Sequence, residues 1–247
     1  MTLIGAWIEQ DHAFLWADTE SYGAPGTAVE GQPAGHILKL VHNRRAGVAA
    51  ALAGTVAGCR RLKNAVDFVD SFDEFIDGIS NYLRAERQHL IKDLDPALPA
   101  WVVIAAGWSR RFGRMVGVTW DSRTDFAAEQ LMRGRAHPHV DSFYTLDPAD
   151  PADIVNLAQA QMREVKRAVP MAGQGTLTVA TIRRDDVTVA LFDIPSGRPL
   201  RAFPEKNLAD GVLSMRASAG DGPRCPSRDS QREPAAEPRS SAAGTSP

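Results

Sequence analysis

Met1-Thr2-Leu3-Ile4-Gly5-Ala6-Trp7-Ile8, then Glu9-Gln10-Asp11-His12, then Ala13-Phe14-Leu15-Trp16-Ala17-Asp18-Thr19-Glu20: two apolar runs stand either side of a short polar break. The pattern predicts a β-hairpin, because a chain that buries both runs and solvates the break folds back at the break. The turn centres on Gln10 and Asp11, which brings Thr19 opposite Thr2 and Asp18 opposite Leu3. Asp18 therefore arrives beside Thr2. A small second residue favours trimming of Met1, after which the chain begins with a free α-amine, a threonine hydroxyl and a nearby carboxylate. A hydroxyl is a weak nucleophile until a base takes its proton, and an α-amine with a reference pKa of roughly 7.7–8.0 is such a base. On these residues alone, the other reading stays open: Thr2 as an ordinary strand residue and Asp18 as a strand-end cap.

The 247 residues are 44% apolar, enough for one large domain or two small ones. A net charge of −2 gives no pull toward nucleic acid or a membrane surface. Arginine pairs occur at Arg44-Arg45, Arg60-Arg61, Arg110-Arg111 and Arg183-Arg184, and all but the second fall in predicted hairpin turns, where charge is simply solvated. No nucleic-acid partner is expected. Cys59 falls in a predicted helix and Cys225 in a polar stretch, which is neither a disulfide framework nor a zinc set and suits a reducing cytoplasm. No apolar run has membrane-spanning length, and no basic segment leads into a long apolar one, so neither a membrane span nor a signal peptide is expected. His137-Pro138-His139 with Asp141 has alternate-residue spacing that metal ligands use, but without further ligands in pattern it reads as a loop; no metal or cofactor is expected.

Beyond the first hairpin, residues 22–35 form a loop rich in Gly, Pro and Ala. Residues 36–41 read as a strand, 43–47 as a turn and 48–52 as a strand of small residues. Gly54 and Thr55 open a helix with Val56, Leu62, Val66 and Val69 on its apolar side. Ser71, three residues before Glu74, signals the next helix, whose stripe is Phe72, Phe75, Ile76, Ile79, Tyr82 and Leu83. A proline-containing loop at 93–100 leads to a buried strand at 101–107, a turn at 110–114 and a return strand at 115–120. Residues 121–146 carry no clear pattern, with 126–132 readable as a strand or a short helix. An amphipathic helix spans 152–168, a tight loop 170–175, and a last hairpin 176–192. The pattern fades from Gly197, and beyond Ser218 the chain is Pro, Ser, Gly, Arg and Glu, read as a disordered tail. The expected organisation is one domain over 1–200 and a polar tail over 201–247. Hairpins imply antiparallel sheets, and strands without polar alternation are buried on both faces. Two antiparallel sheets packed together, each covered outside by helices, meet both conditions, an α+β fold.

This order of elements resembles the β-type subunits of proteasomes and their bacterial relatives. The resemblance rests on Thr2 opening an apolar strand, on Phe14-Leu15-Trp16-Ala17-Asp18 closing the next, and on His36-Ile37-Leu38-Lys39-Leu40 in the following strand. It rests also on Ala49-Ala50-Ala51-Leu52-Ala53-Gly54 before a helix, and on the late helix, Gly173-Gln174-Gly175 and the hairpin at 176–192. The resemblance implies a four-layer αββα sandwich of the N-terminal-nucleophile hydrolase type. It implies a threonine-type peptidase cleaving peptide amide bonds through an acyl-enzyme on Thr2. By the same resemblance Asp18 positions the lysine and the N-terminus, Ala49 lines the substrate pocket, and the backbone near Ala51 gives an oxyanion donor. Peptide or protein substrates and a homo-oligomeric ring are implied as partners.

The chain also departs from the family. The catalytic lysine aligns best with His36, and Lys39, three residues on, is expected on the other strand face. The family's late Asp and Ser correspond to Pro170 and Gly173, and its Gly-Ser-Gly segment to Gly134-Arg135-Ala136, so that Lys39 and Arg135 stand as substitute positive charges. The competing expectation is a proteasome-like structural or assembly subunit whose catalytic set has decayed.

Overall fold

The computed structural model describes residues 2–22, 33–93, 98–139, 148–168 and 175–200. Strands β1 (Ile4–Ile8) and β2 (His12–Asp18) form the first hairpin, in register from Ile4 opposite Ala17 to Ile8 opposite Ala13. The Glu9 N–H donates to the His12 carbonyl at 2.9 Å and closes the turn. A short ribbon follows, β3 (Glu20–Tyr22) with β4 (Pro33–His36). Next come β5 (Leu40–Asn43) and β6 (Val48–Ala53), then helices α1 (Val56–Asp67) and α2 (Phe72–Asp93). Strands β7 (Val102–Ser109), β8 (Arg114–Asp121), β9 (Glu129–Leu131) and β10 (Gly134–His137) lead to helix α3 (Pro151–Ala168). The described chain closes with β11 (Thr176–Arg183), β12 (Asp186–Asp193) and β13 (Pro199–Leu200).

These strands form a six-stranded sheet in the order β10-β1-β2-β11-β12-β13 and a five-stranded sheet in the order β5-β6-β7-β8-β9, antiparallel throughout. Side-chain alternation sorts the core. Ile4, Ala6 and Ile8 of β1 and Ala13, Leu15 and Ala17 of β2 pack against Ala49, Ala51, Ile104 and Ala106 of the other sheet. The intervening residues Trp7, Phe14 and Trp16 pack against Ile154, Val155, Leu157 and Met162 of α3. On the five-stranded sheet, Val48, Ala50, Leu52, Val103 and Ala105 turn the other way, onto Leu62, Val66, Phe72 and Phe75 of α1 and α2. Both faces of the central strands are therefore buried, which is why they read as unbroken apolar runs. Ala6, Ala13, Ala17, Ala49, Ala51 and Ala106 lie where sheet meets sheet, and the rings of Trp7, Phe14, Trp16, Phe72, Phe75, Trp101 and Trp120 lie on the helix-facing sides. At Gly5 the ring of Trp16 stands 2.2 Å from where a Cβ would sit, so a side chain there has no room.

The helices start where the local chemistry directs. Thr55 caps α1, its hydroxyl accepting from the Gly58 N–H at 3.0 Å. The Ser71 hydroxyl accepts from Glu74 N–H at 3.2 Å, and the Glu74 carboxylate reaches back to Asp70 N–H at 2.8 Å. Val56 departs from the predicted apolar side of α1: it is half-exposed, while Leu62 and Val66 are buried as expected.

The single strand expected over residues 36–41 is broken in two. β4 ends at His36, Ile37 makes one bridge, with its N–H on the Thr19 carbonyl at 2.7 Å, and β5 starts at Leu40. The chain changes sheets here, leaving the ribbon beside β2 for the edge of the five-stranded sheet. The stretch without a pattern, after β8, is a second change of sheet. A 3-10 turn (Ser122–Thr124) and positive φ angles at Asp125 and Phe126 lead into β9 on one sheet and then β10 on the other. Phe126 is buried against the Trp101 ring with centroids 6.4 Å apart, tertiary packing that holds a non-glycine residue in the left-handed region. Asp141, residues 170–174 of the loop expected over 170–175, with Pro170 and Gly173, and the whole of the tail expected over 201–247 lie outside the described residues.

Candidate active site

The end of the first hairpin gathers the polar groups. Asp18 and Leu3 face each other at the last rung, where Asp18 N–H donates to the Leu3 carbonyl at 3.0 Å. The return bond runs to the side chain: Leu3 N–H donates to Asp18 Oδ1 at 2.7 Å. Asp18 thus holds the amide that joins Leu3 to Thr2, and Thr2 itself is half-buried just ahead of β1. Lys39 completes the arrangement. Its Nζ lies 3.0 Å from both Asp18 oxygens, and both side chains are almost wholly buried, at 3% and 1% exposure. The Lys39 carbonyl accepts from Leu52 N–H at 3.0 Å, which ties the base of the lysine to β6.

Burial pushes the Asp18 carboxyl above its ordinary value, against the Lys39 ammonium and the Leu3 N–H, which pull it down; Glu20 adds a smaller upward push. Glu20 is itself buried, its side chain lying where a Cβ on Gly175 would be, 2.7 Å from Glu20 Cγ. Cys59 lies close enough to feel both Lys39 and Asp18, but burial pushes its thiol up to about 12, so it is not a thiolate nucleophile at neutral pH.

The sequence-predicted residues sort clearly. Asp18 and Lys39 meet beside Thr2. The expectation that Lys39 points away from Asp18 is corrected, because strand alternation does not run through the break between β4 and β5. His36 does not occupy the lysine's place: its Nδ1 lies 2.9 Å from Thr19 Oγ1, within the ribbon rather than on Asp18. Arg135 is no substitute charge at this site, since β10 sets it opposite Ala6, in the middle of β1, and its guanidinium pairs with Glu129 at 2.7 Å. Ala49 and Ala51 are fully buried between the sheets, flanked on both sides by β5 and β7, so they line no open pocket and their N–H groups lie inside a sheet ladder. The ladder ends at Ala53, and Gly54, exposed just before the α1 cap, is the first residue of this stretch beyond it. Gly54 was legible only as a helix opener. Its lack of a side chain has a packing reason, since Trp101 Cδ1 stands 2.7 Å from where its Cβ would be.

A cavity of about 610 Å³ lined by Glu9, His12, Trp108 and Arg133 opens at the turn end of β2, at the opposite end of this seven-residue strand from Asp18. It plays no part at Thr2. Among the described residues no group of three or more His, Cys, Asp or Glu side chains is placed to hold a metal ion, and no helix is long and apolar enough to cross a membrane. The chain matches no family model and no curated protein.

Proposed function

We propose that this chain is a threonine-type N-terminal-nucleophile hydrolase that cleaves peptide amide bonds through an acyl-enzyme on Thr2. The observation that carries the reading is the buried Lys39–Asp18 pair clamped on the amide next to Thr2. Two sheets packed inner face to inner face, with α1 and α2 outside one and α3 outside the other, support the four-layer αββα arrangement that this chemistry uses in proteasome-like proteins.

In this reading, loss of Met1 frees the Thr2 α-amine. The amine takes the hydroxyl proton as Oγ attacks the substrate carbonyl carbon, and the carbonyl oxygen becomes an oxyanion. The C–N bond then breaks, the departing amine takes the proton, and an ester on Thr2 remains. Water repeats the sequence against the ester and restores the hydroxyl. Lys39 supplies positive potential where the alkoxide develops, in surroundings too dry to screen it. Asp18 positions the Lys39 Nζ and the Leu3 amide together. The oxyanion donor that the family takes from this strand moves here from Ala51 to Gly54, whose N–H lies beyond the ladder. Peptide or protein substrates, a homo-oligomeric ring and a cytoplasmic location belong to the same reading.

The second reading, a proteasome-like structural subunit, draws on Pro170 and Gly173 at the places of the family's late Asp and Ser. Mass spectrometry after incubation with a threonine-directed β-lactone separates the two. An adduct on a Met-free Thr2 peptide is expected. Met-free protein that stays unlabelled favours the structural subunit, and retention of Met1 removes the α-amine base and with it this mechanism.

A further inference from the structure

The arginine pairs take no part in the Thr2 chemistry, yet the fold gathers three of them at the far end of the sheets. Arg44 and Arg45 in the β5–β6 turn, Arg110 in the β7–β8 turn and Arg184 in the β11–β12 turn line one cleft of about 420 Å³. That volume lies within the roughly 300–1,000 Å³ of small-molecule sites. The walls are fixed by direct packing of turn on turn. Gly47, at φ +63°, has the Arg184 carbonyl 3.7 Å from its Cβ position, and the Gly47 carbonyl closes against Gly107.

The four guanidiniums are not equally engaged. Arg44 Nε donates to Asp186 at 2.7 Å, and Arg45 pairs with Asp70 at 3.2 Å. Among the described residues, Arg110 and Arg184 have no carboxylate partner. Arg184 is held over the Trp108 ring, 5.2 Å from its centroid, which orders the guanidinium and leaves its N–H edge to bind. Ser71, the cap of the 22-residue helix α2, lines the same cleft, so the positive end of that helix faces it. Two carboxylates, Asp70 on Arg45 and Asp185 in the β11–β12 turn, line the cleft beside the four guanidiniums, which leaves it cationic. The nearby carboxylates of α2 are committed: Asp73 to Ser109 and the Arg111 N–H, and Glu74 to the Asp70 N–H.

We propose that this cleft binds a condensed phosphate chain, either free inorganic polyphosphate or the triphosphate of a nucleotide. Two unspent guanidiniums on turns of different sheets suit an anion with charge along its length, since each takes phosphate oxygens in pairs. This site is independent of the Thr2 reading.

Calorimetric titration of the full chain at low ionic strength, with sodium tripolyphosphate and separately with a nucleoside triphosphate, tests it. Tripolyphosphate is expected to bind, and R110Q/R184Q to weaken it by about tenfold or more. R60Q/R61Q removes the same number of charges on α1 and is expected to change affinity by less than about twofold. Equal affinity for the two ligands assigns the phosphate chain alone, and tighter binding of the nucleotide adds a contribution from its base; both support the site. No binding of tripolyphosphate, undiminished binding to R110Q/R184Q, or equal losses in the two double variants overturns it. Arg60, Arg110 and Arg184 are exposed and Arg61 is half-buried in an ion pair with Glu86, and unchanged thermal midpoints without ligand verify that each variant is folded.

Discussion

At the scale of single residues, the telling feature is that Lys39 and Asp18 are buried together. Removing one member of a buried pair leaves an uncompensated charge, which costs about 3–5 kcal/mol. Lys39→Ala is therefore expected to destabilise the protein by that amount and to abolish hydrolysis. The double variant Asp18→Asn with Lys39→Met, which leaves no buried charge, is expected to regain most of the stability and none of the turnover. Urea unfolding read beside turnover distinguishes the two effects; turnover recovered together with stability would make the pair purely structural. His36→Ala removes one partly buried hydrogen bond to Thr19, so a loss of about 1 kcal/mol and turnover within severalfold of the parent are expected. A collapse of turnover in His36→Ala at unchanged stability would return His36 to the site. Asp18 was legible in the sequence because equal apolar runs about a polar break define the register. Lys39 was not, because its direction depends on a break between β4 and β5 that no residue pattern marks.

At the scale of elements, helix starts were written locally and strand ends were not. Thr55 and Ser71 cap their helices through bonds within a few residues of chain, so their spacing alone locates them. Thr55→Ala is expected to cost about 1 kcal/mol in chemical denaturation, with hydrolysis little changed. β10 depends instead on a distant partner, β1, and carries a pH dependence. Burial, helped by the Arg123 charge and opposed by Asp121, holds the His137 imidazole below its ordinary value of 6.5. The unfolded chain therefore takes up the proton first, and stability is lost as pH falls from 6.5 toward the depressed folded value. The protection factors of the amides at residues 134–137, taken relative to the intrinsic exchange rate at each pH, are expected to fall over that window, and His137→Gln to remove the fall. Unchanged pH dependence in His137→Gln would assign it to another group. The sequence left β9 open between a strand and a short helix over 126–132 and did not mark β10, because three or four residues carry no period and because positive φ at Phe126 is imposed by its packing on Trp101.

At the scale of the whole molecule, the core lies between and outside two sheets formed from residues before Arg201, and the residues after Ser218 offer almost nothing apolar to it. Deleting everything after Ser218 is expected to leave the thermal midpoint and the number of protomers per particle, read by sedimentation equilibrium, unchanged. A drop in either would give that segment a role in folding or assembly. The sequence by itself determined the first and last hairpins, the register of the first, the helix starts and the burial of both strand faces. Each of these follows from neighbours in the chain or from an apolar run too long to leave in water. Only the tertiary structure decided that Lys39 rather than His36 meets Asp18, that Ala49 and Ala51 are sealed between sheets, and that arginines from three separate turns share one cleft. Those outcomes depend on where the chain crosses from one sheet to the other, and a crossing is set by the packing of distant layers, which no local spacing of residues records.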